Sequence, residues 1–271
     1  HIRNDDARLA SDRSTSFKSA IAEALKGIKL QQGNSKTPRR YALHWGLDAP
    51  PPAGEEIPIW VRDAWNVSEK VVRNEAQAAG MESPVVFVFL PREQADALAD
   101  ALGTQAAADE VLASRAAQTT PESVAARQSM QTRSETARGT VNALVAEIMS
   151  SALVFQGGGY QASGANLREA VQSALEASLA RLFPHFSMGD DARWATVVKR
   201  AGDGAADALS VLGYEGDAAQ HPLCKEVLAY LGGVSRAGKE IQDHFTGAGY
   251  GWPRDAVDGA LLVLLTSGHL E

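Results

Sequence analysis

The sequence predicts an α+β fold that is predominantly helical: a small, partly parallel βαβ sheet followed by a helical region and a winged helix-turn-helix-like module. Three observations carry this expectation. Two apolar runs, residues 57–65 and 85–90, flank a segment with helical spacing, which is the order of a βαβ crossover. Beyond Pro121 apolar residues recur at intervals of three and four, the period of amphipathic helices. From Pro222 onward, three short helical stretches are separated by glycine-rich turns, as a helix-turn-helix requires. A chain of 271 residues tends to split its core. The expected division is an α/β domain with an N-terminal amphipathic helix over 1–117, a helical domain with a short hairpin near 152–162 over 118–220, and a winged-helix-like module over 221–271, truncated at the wing.

Phe17, Ile21, Ala24, Leu25 and Ile28 place an amphipathic helix over 4–30, stopped by Gly33 and Pro38. A short strand over 39–46 leads into the Pro50-Pro51-Pro52 loop. In the strand over 57–65, Pro58 sits near the start, where a missing donor is tolerated. Asn66 with Glu69 suggests a capping box for a helix to about 79. Residues 85–90 form an uninterrupted apolar run between Pro84 and Pro91, the pattern of a strand buried on both faces. A helix then covers 93–117.

Within 122–149, the second half carries a full stripe (Ala137, Val141, Leu144, Val145, Ile148, Met149), whereas the first half offers only Val124 and Met130. That first half is therefore expected to be exposed, or covered by another body. Gly157-Gly158 reads as a hairpin turn. Asn166 with Glu169 caps a helix striped by Leu167, Val171, Leu175 and Leu179 and ended by Pro184. Residues 190–212 are helical with interruptions at Gly202 and Gly204, and Asp190 or Asp191 is the expected N-cap. In the last helix Pro253 suits the first turn, Trp252 anchors the entry and Gly268 stops the run.

Few residues suggest catalysis. Gly233 to Lys239 matches G-x-x-x-x-G-K, yet a P-loop needs a buried strand before it and a Ser/Thr hydroxyl after the lysine for magnesium. Here a helical stretch precedes and Glu240 follows, so the segment is expected to be the turn and start of a second helix. Gly157 to Ala162 fits G-x-G-x-x-A but lacks the acidic residue about twenty positions on that holds a ribose. Cys224, the single cysteine, cannot form an intrachain disulfide and reads as a buried small hydrophobe, which suits a reducing, cytoplasmic setting. The six histidines are scattered, without metal-ligand spacing. No catalytic residue, metal site or cofactor is expected, nor a membrane span, since the longest apolar run falls far short of the roughly 20 residues needed.

Charge is uneven. Residues 1–45 carry nine Lys/Arg against four Asp/Glu, a local +5 in a chain of net charge −7. Lys36, Arg39 and Arg40 flank the loop before Tyr41 and are candidates for phosphate contact, joined by Lys239 and Arg254 in the terminal module. Residues 221–271 hold four Lys/Arg against six Asp/Glu, which argues against the last helix as the main DNA reader.

Several stretches together resemble one family. They are Trp60-Val61-Arg62-Asp63-Ala64-Trp65, Ser83 to Pro91, Val154 to Gly159, Leu179 to Pro184, His221 to Lys225 and Gly249 to Leu270. In these the chain resembles the large P-loop ATPases of bacterial phage-exclusion (BREX and phage-growth-limitation) systems, the BrxC or PglY family. The resemblance implies a fragment that lacks the Walker motif of its parent. Its partners would be other regions or copies of the parent ATPase and other defence-system proteins, with DNA as an alternative. The expected function is a non-catalytic scaffold or interaction region; a DNA-binding winged-helix module, or an enzyme with an unrecognised site, are the alternatives.

Overall fold

The computed structural model describes residues 2–35, 38–114 and 120–271, with side chains from residue 6 on. Lys36 and the expected boundary at 117 lie outside the described residues. A four-stranded sheet is built from β1 (Tyr41–Trp45), β2 (Ile57–Asp63), β3 (Val86–Leu90) and β4 (Leu153–Gln156), side by side in that order. The β1/β2 and β2/β3 pairs are parallel, and β3/β4 is antiparallel. The β2-to-β3 crossover runs through α2 (Glu69–Ala78). The fold is thus α+β, mostly helical, with the partly parallel sheet expected.

Alternation along the strands explains two apolar layers, because successive side chains leave opposite faces of a sheet. Ile57, Ile59 and Val61 of β2, Val86, Val88 and Leu90 of β3 and Val154 of β4 face one core. That core is closed by α1 (Ile2–Leu25), α3 (Ala95–Ser114), α4 (Pro121–Ser150) and α5 (Leu167–Leu182). Trp60, Phe87 and Phe155 face the other side, where Val72 and Ala76 of the short α2 cover them. Burial on both faces is why β3 reads as five consecutive apolar residues.

A second core joins α6 (Trp194–Gly202), α7 (Pro222–Leu231), α8 (Gly238–Thr246) and α9 (Arg254–Thr266). Residues on both sides of 117 share the first core, and residues on both sides of 220 share the second. At the middle of this second core lies α9: Ala256, Val257, Gly259, Ala260, Val263 and Leu264 are all buried. Gly259 lets α6 approach, since a Cβ there would stand 2.8 Å from the Trp194 ring.

Local expectations differ from the structure at three places. The first helix ends at Leu25, five residues early, because the chain turns at Gly27 (φ 76°) so that Leu30 can bridge to Arg39. Helix α2 has Ser68 at its N-cap without a side-chain cap, and Asn66 instead donates to Asp63, so the capping box is absent. The short hairpin around 157–159 is present as expected, with Gln156 N donating to Tyr160 O and Ala162 N to Val154 O at 2.8 Å each, while the longer ladder of β4 is with β3. Neither Asp190 nor Asp191 is the N-cap of α6; that position is Arg193, whose N–H and guanidinium both donate to Asp191. The cap of α5 is as expected, with Asn166 Oδ1 accepting from Glu169 N at 3.0 Å.

Candidate functional site

Of the five cations singled out by the sequence, Arg39 and Arg254 lie at the seam between the two cores. After α5, Phe183 and Phe186 present their rings to Arg39, whose guanidinium carbon lies 4.1 and 5.2 Å from the two centroids. Its Nε donates to Gln32 Oε1 at 3.0 Å, and its Nη2 donates to the carbonyl of Gly251. Burial pushes the pKa of Arg39 down. This arginine therefore joins the strand-entry loop to the entry of α9, with its Nε and Nη2 donors engaged within the protein.

The same seam is closed by backbone and by an indole. Gly249 N donates to Leu182 O at 2.8 Å, His185 N to Gly249 O at 3.0 Å, and Trp252 Nε1 to His185 O at 2.8 Å. Trp252 is buried and stacks on Phe245 with centroids 4.7 Å apart, the core anchor expected. Asp190 reaches across to accept from Asn34 N at 2.6 Å. Beside these contacts opens a cleft of about 220 Å³, lined by Asn34, Ser35, Asp191, Ala195, Arg254 and Asp255.

The other predicted cations are placed differently. Arg40 is exposed and paired with Glu55 at 3.9 Å and Glu56 at 3.4 Å. Arg254 donates to Gln242 Oε1 at 2.9 Å, and Gln242 in turn donates to Asp258. Lys239 is exposed on α8, three residues before Gln242, with no bond to a described residue. Arg39 and Arg254 thus lie at the seam, Lys239 is exposed on α8, and Arg40 faces the carboxylates that precede β2.

The phosphate-loop look-alikes have structural explanations. Residues 233–237 connect α7 to α8, so the loop follows a helix, and Glu240 is held by Arg236, which also lies 4.4 Å over Tyr230. Gly157 packs against main chain, where a Cβ would come within 2.5 Å of Gly80 O, and Gly158 N donates to Ala76 O at 2.9 Å. Cys224 is buried and its thiol is pushed up to about 12 by desolvation. The His221 pKa is pushed down by burial, and its Nδ1 has no partner among the described residues. No group of three possible metal ligands occurs among the described residues.

Away from the seam, a groove of about 780 Å³ runs between α1 and α4 to the start of α5. Ala20, Ala24, Val145 and Met149 give it an apolar floor, with Ser19 and Asn142 at its sides. Arg168 fixes one end by donating to the carbonyls of Ala24 and Lys26 at 2.9 and 2.7 Å. Sequence reasoning missed this groove, as it missed the seam contacts of Gly251 and Asn34, and it gave Asp190 a helix cap instead of its bond to Asn34. The one signal in the chain was the run of small residues on α1 and α4. Among the described residues no helix is long and apolar enough to cross a membrane. Comparison of the chain with family models, with curated proteins and with solved structures returns no match.

Proposed function

We propose that this chain is a non-catalytic scaffold and interaction region of a large P-loop ATPase similar to those of phage-exclusion systems, acting in the cytoplasm through contacts with the rest of that ATPase and with other defence-system proteins. The observation that carries the reading is the open groove between α1 and α4. It has small apolar side chains on its floor and polar ones at its sides, the surface into which an amphipathic helix lays its apolar face. The seam supports it, since Arg39, Asp190 and Gly251 are committed to holding the two cores together.

The winged-helix-like reading of 221–271 belongs to this proposal as a packing module. The open face of its last helix carries Asp255 and Asp258 against Arg254 alone, and Arg254 is held by Gln242, a charge balance that disfavours a duplex reader. The test is capture of the remaining ATPase by this chain. Ala146→Arg changes an exposed groove residue, so it should leave thermal melting unchanged and abolish capture. Undiminished capture by that variant, or ATP turnover by this chain alone, refutes the reading.

A further inference from the structure

The carboxyl ends of the parallel strands β2 and β3 lie side by side, with Asp63 opposite Leu90. In open α/β sheets this edge is where ligands are commonly held, because the loops leaving adjacent strands can face one another there. Trp65 stands on the loop after β2, and Arg92 on the loop after β3. From α1, Arg13 reaches the same place, one helical turn before Phe17, whose ring lies 5.5 Å from that of Trp65. The guanidinium carbons of Arg13 and Arg92 are 4.7 and 5.9 Å from the indole centroid.

Neither guanidinium has a hydrogen bond or ion pair with a described residue, whereas Arg8, Arg39, Arg62 and Arg181 all do. The nearby carboxylate is committed to its own turn: Asp63 Oδ1 accepts from Trp65 N at 3.0 Å and from Asn66 Nδ2 at 3.1 Å. Arg13 is half-buried, and its pKa is held down by that burial and by the like charge of Arg92, against the pull of Asp63. Asp63 outweighs Arg92 in its effect on Arg13, so both cations are tolerated beside Trp65 while their N–H donors stay open to an oxyanion. Beside them Gln94 takes φ 50°, a left-handed conformation rare for a residue with a side chain and typical of constrained sites.

We propose that Arg13 and Arg92, set over Trp65 at the carboxyl edge of the sheet, form a binding site for the phosphate group of a small phosphorylated molecule. Guanidinium forks match the spacing of phosphate oxygens, and both arginines present theirs unshared. A single phosphate group fits better than a nucleic-acid strand, because two arginines beside Asp63, with Glu93 following Arg92 in the chain, make no continuous basic track for a polyanion. The site is independent of the groove between α1 and α4, and stands or falls separately from the reading above.

The probe is inorganic pyrophosphate, titrated calorimetrically at constant ionic strength. Saturable binding at one site is expected, weakened about tenfold by Arg92→Gln and by Arg13→Gln and lost in the double variant. Arg92 is exposed, so its substitution leaves the fold intact, and circular dichroism verifies this. Arg236→Gln, on α8's side of the molecule, serves as the control and should change nothing. Absence of saturable binding, or binding unaltered in the double variant, overturns the proposal. A duplex oligonucleotide that displaces pyrophosphate and depends equally on Arg13 and Arg92 overturns the choice of a small ligand.

Discussion

Gly251 shows how much one residue at the seam carries. Its φ of 63° is left-handed, and an added Cβ would lie 2.5 Å from Phe183 Cδ1 and 2.8 Å from Arg39 Nη2. Gly27 has a similar φ of 76° but open space around it. Gly27→Ala should therefore cost only the conformational penalty, about 1 kcal/mol, while Gly251→Ala adds overpacking and should cost about 3 kcal/mol in urea unfolding. Equal losses would show that the seam yields at no cost. At this scale sequence reading did well wherever a residue's fate depends on its own chemistry. Cys224 and Trp252 are buried as expected, because a small thiol and a large indole each find the interior favourable. It gave no sign of Arg39's bond to a carbonyl 212 residues away, which no local pattern announces. Arg13 and Arg92 escaped notice for the same reason, being neighbours only once the strands are paired.

Among the elements, α4 is the one whose halves differ most. Between 137 and 149 it buries Ala137, Val141, Val145, Ile148 and Met149, the stripe legible in the sequence. Before that it buries only Ser123 and Ser134, and its contact there is with α3, where Ser134 Oγ donates to Asp109. Val124 stays 46% exposed, so the hairpin with α3 covers one face of the first half without supplying an apolar lock. Helices derive most of their stability from such faces. Residues 122–136 should exchange amide hydrogens faster than 140–149 by at least tenfold. Uniform protection in a dilute monomer would refute this. The partner α3 could not be deduced beforehand, since its alanine-rich sequence carries little amphipathic contrast; small residues allow close approach but do not specify which helix approaches.

For the whole molecule, the question is whether two cores behave as one. Each is closed by its own apolar residues, Phe17 to Phe186 in one and Trp194 to Leu264 in the other, which by itself would permit separate unfolding. Against this stand the polar contacts of the seam: Arg39 to Gly251, Asn34 to Asp190, Trp252 to His185, and two backbone bonds around Gly249. A charge-assisted bond contributes about 1.5–3 kcal/mol net, so the two that use Arg39 and Asp190 are comparable to a large share of a domain's total stability. The intact chain should then lose helical circular dichroism and tryptophan fluorescence in a single urea transition. Trp60 reports on the sheet and Trp194 and Trp252 on the second core. In the double variant Arg39→Ala, Asp190→Ala the contacts across the seam shrink while both cores keep their apolar interiors. The two signals should then separate into distinct midpoints. If they remain coincident while the common midpoint falls, the backbone bonds around Gly249 and the Trp252 indole alone suffice to couple the cores, and the arginine clamp is not what joins them.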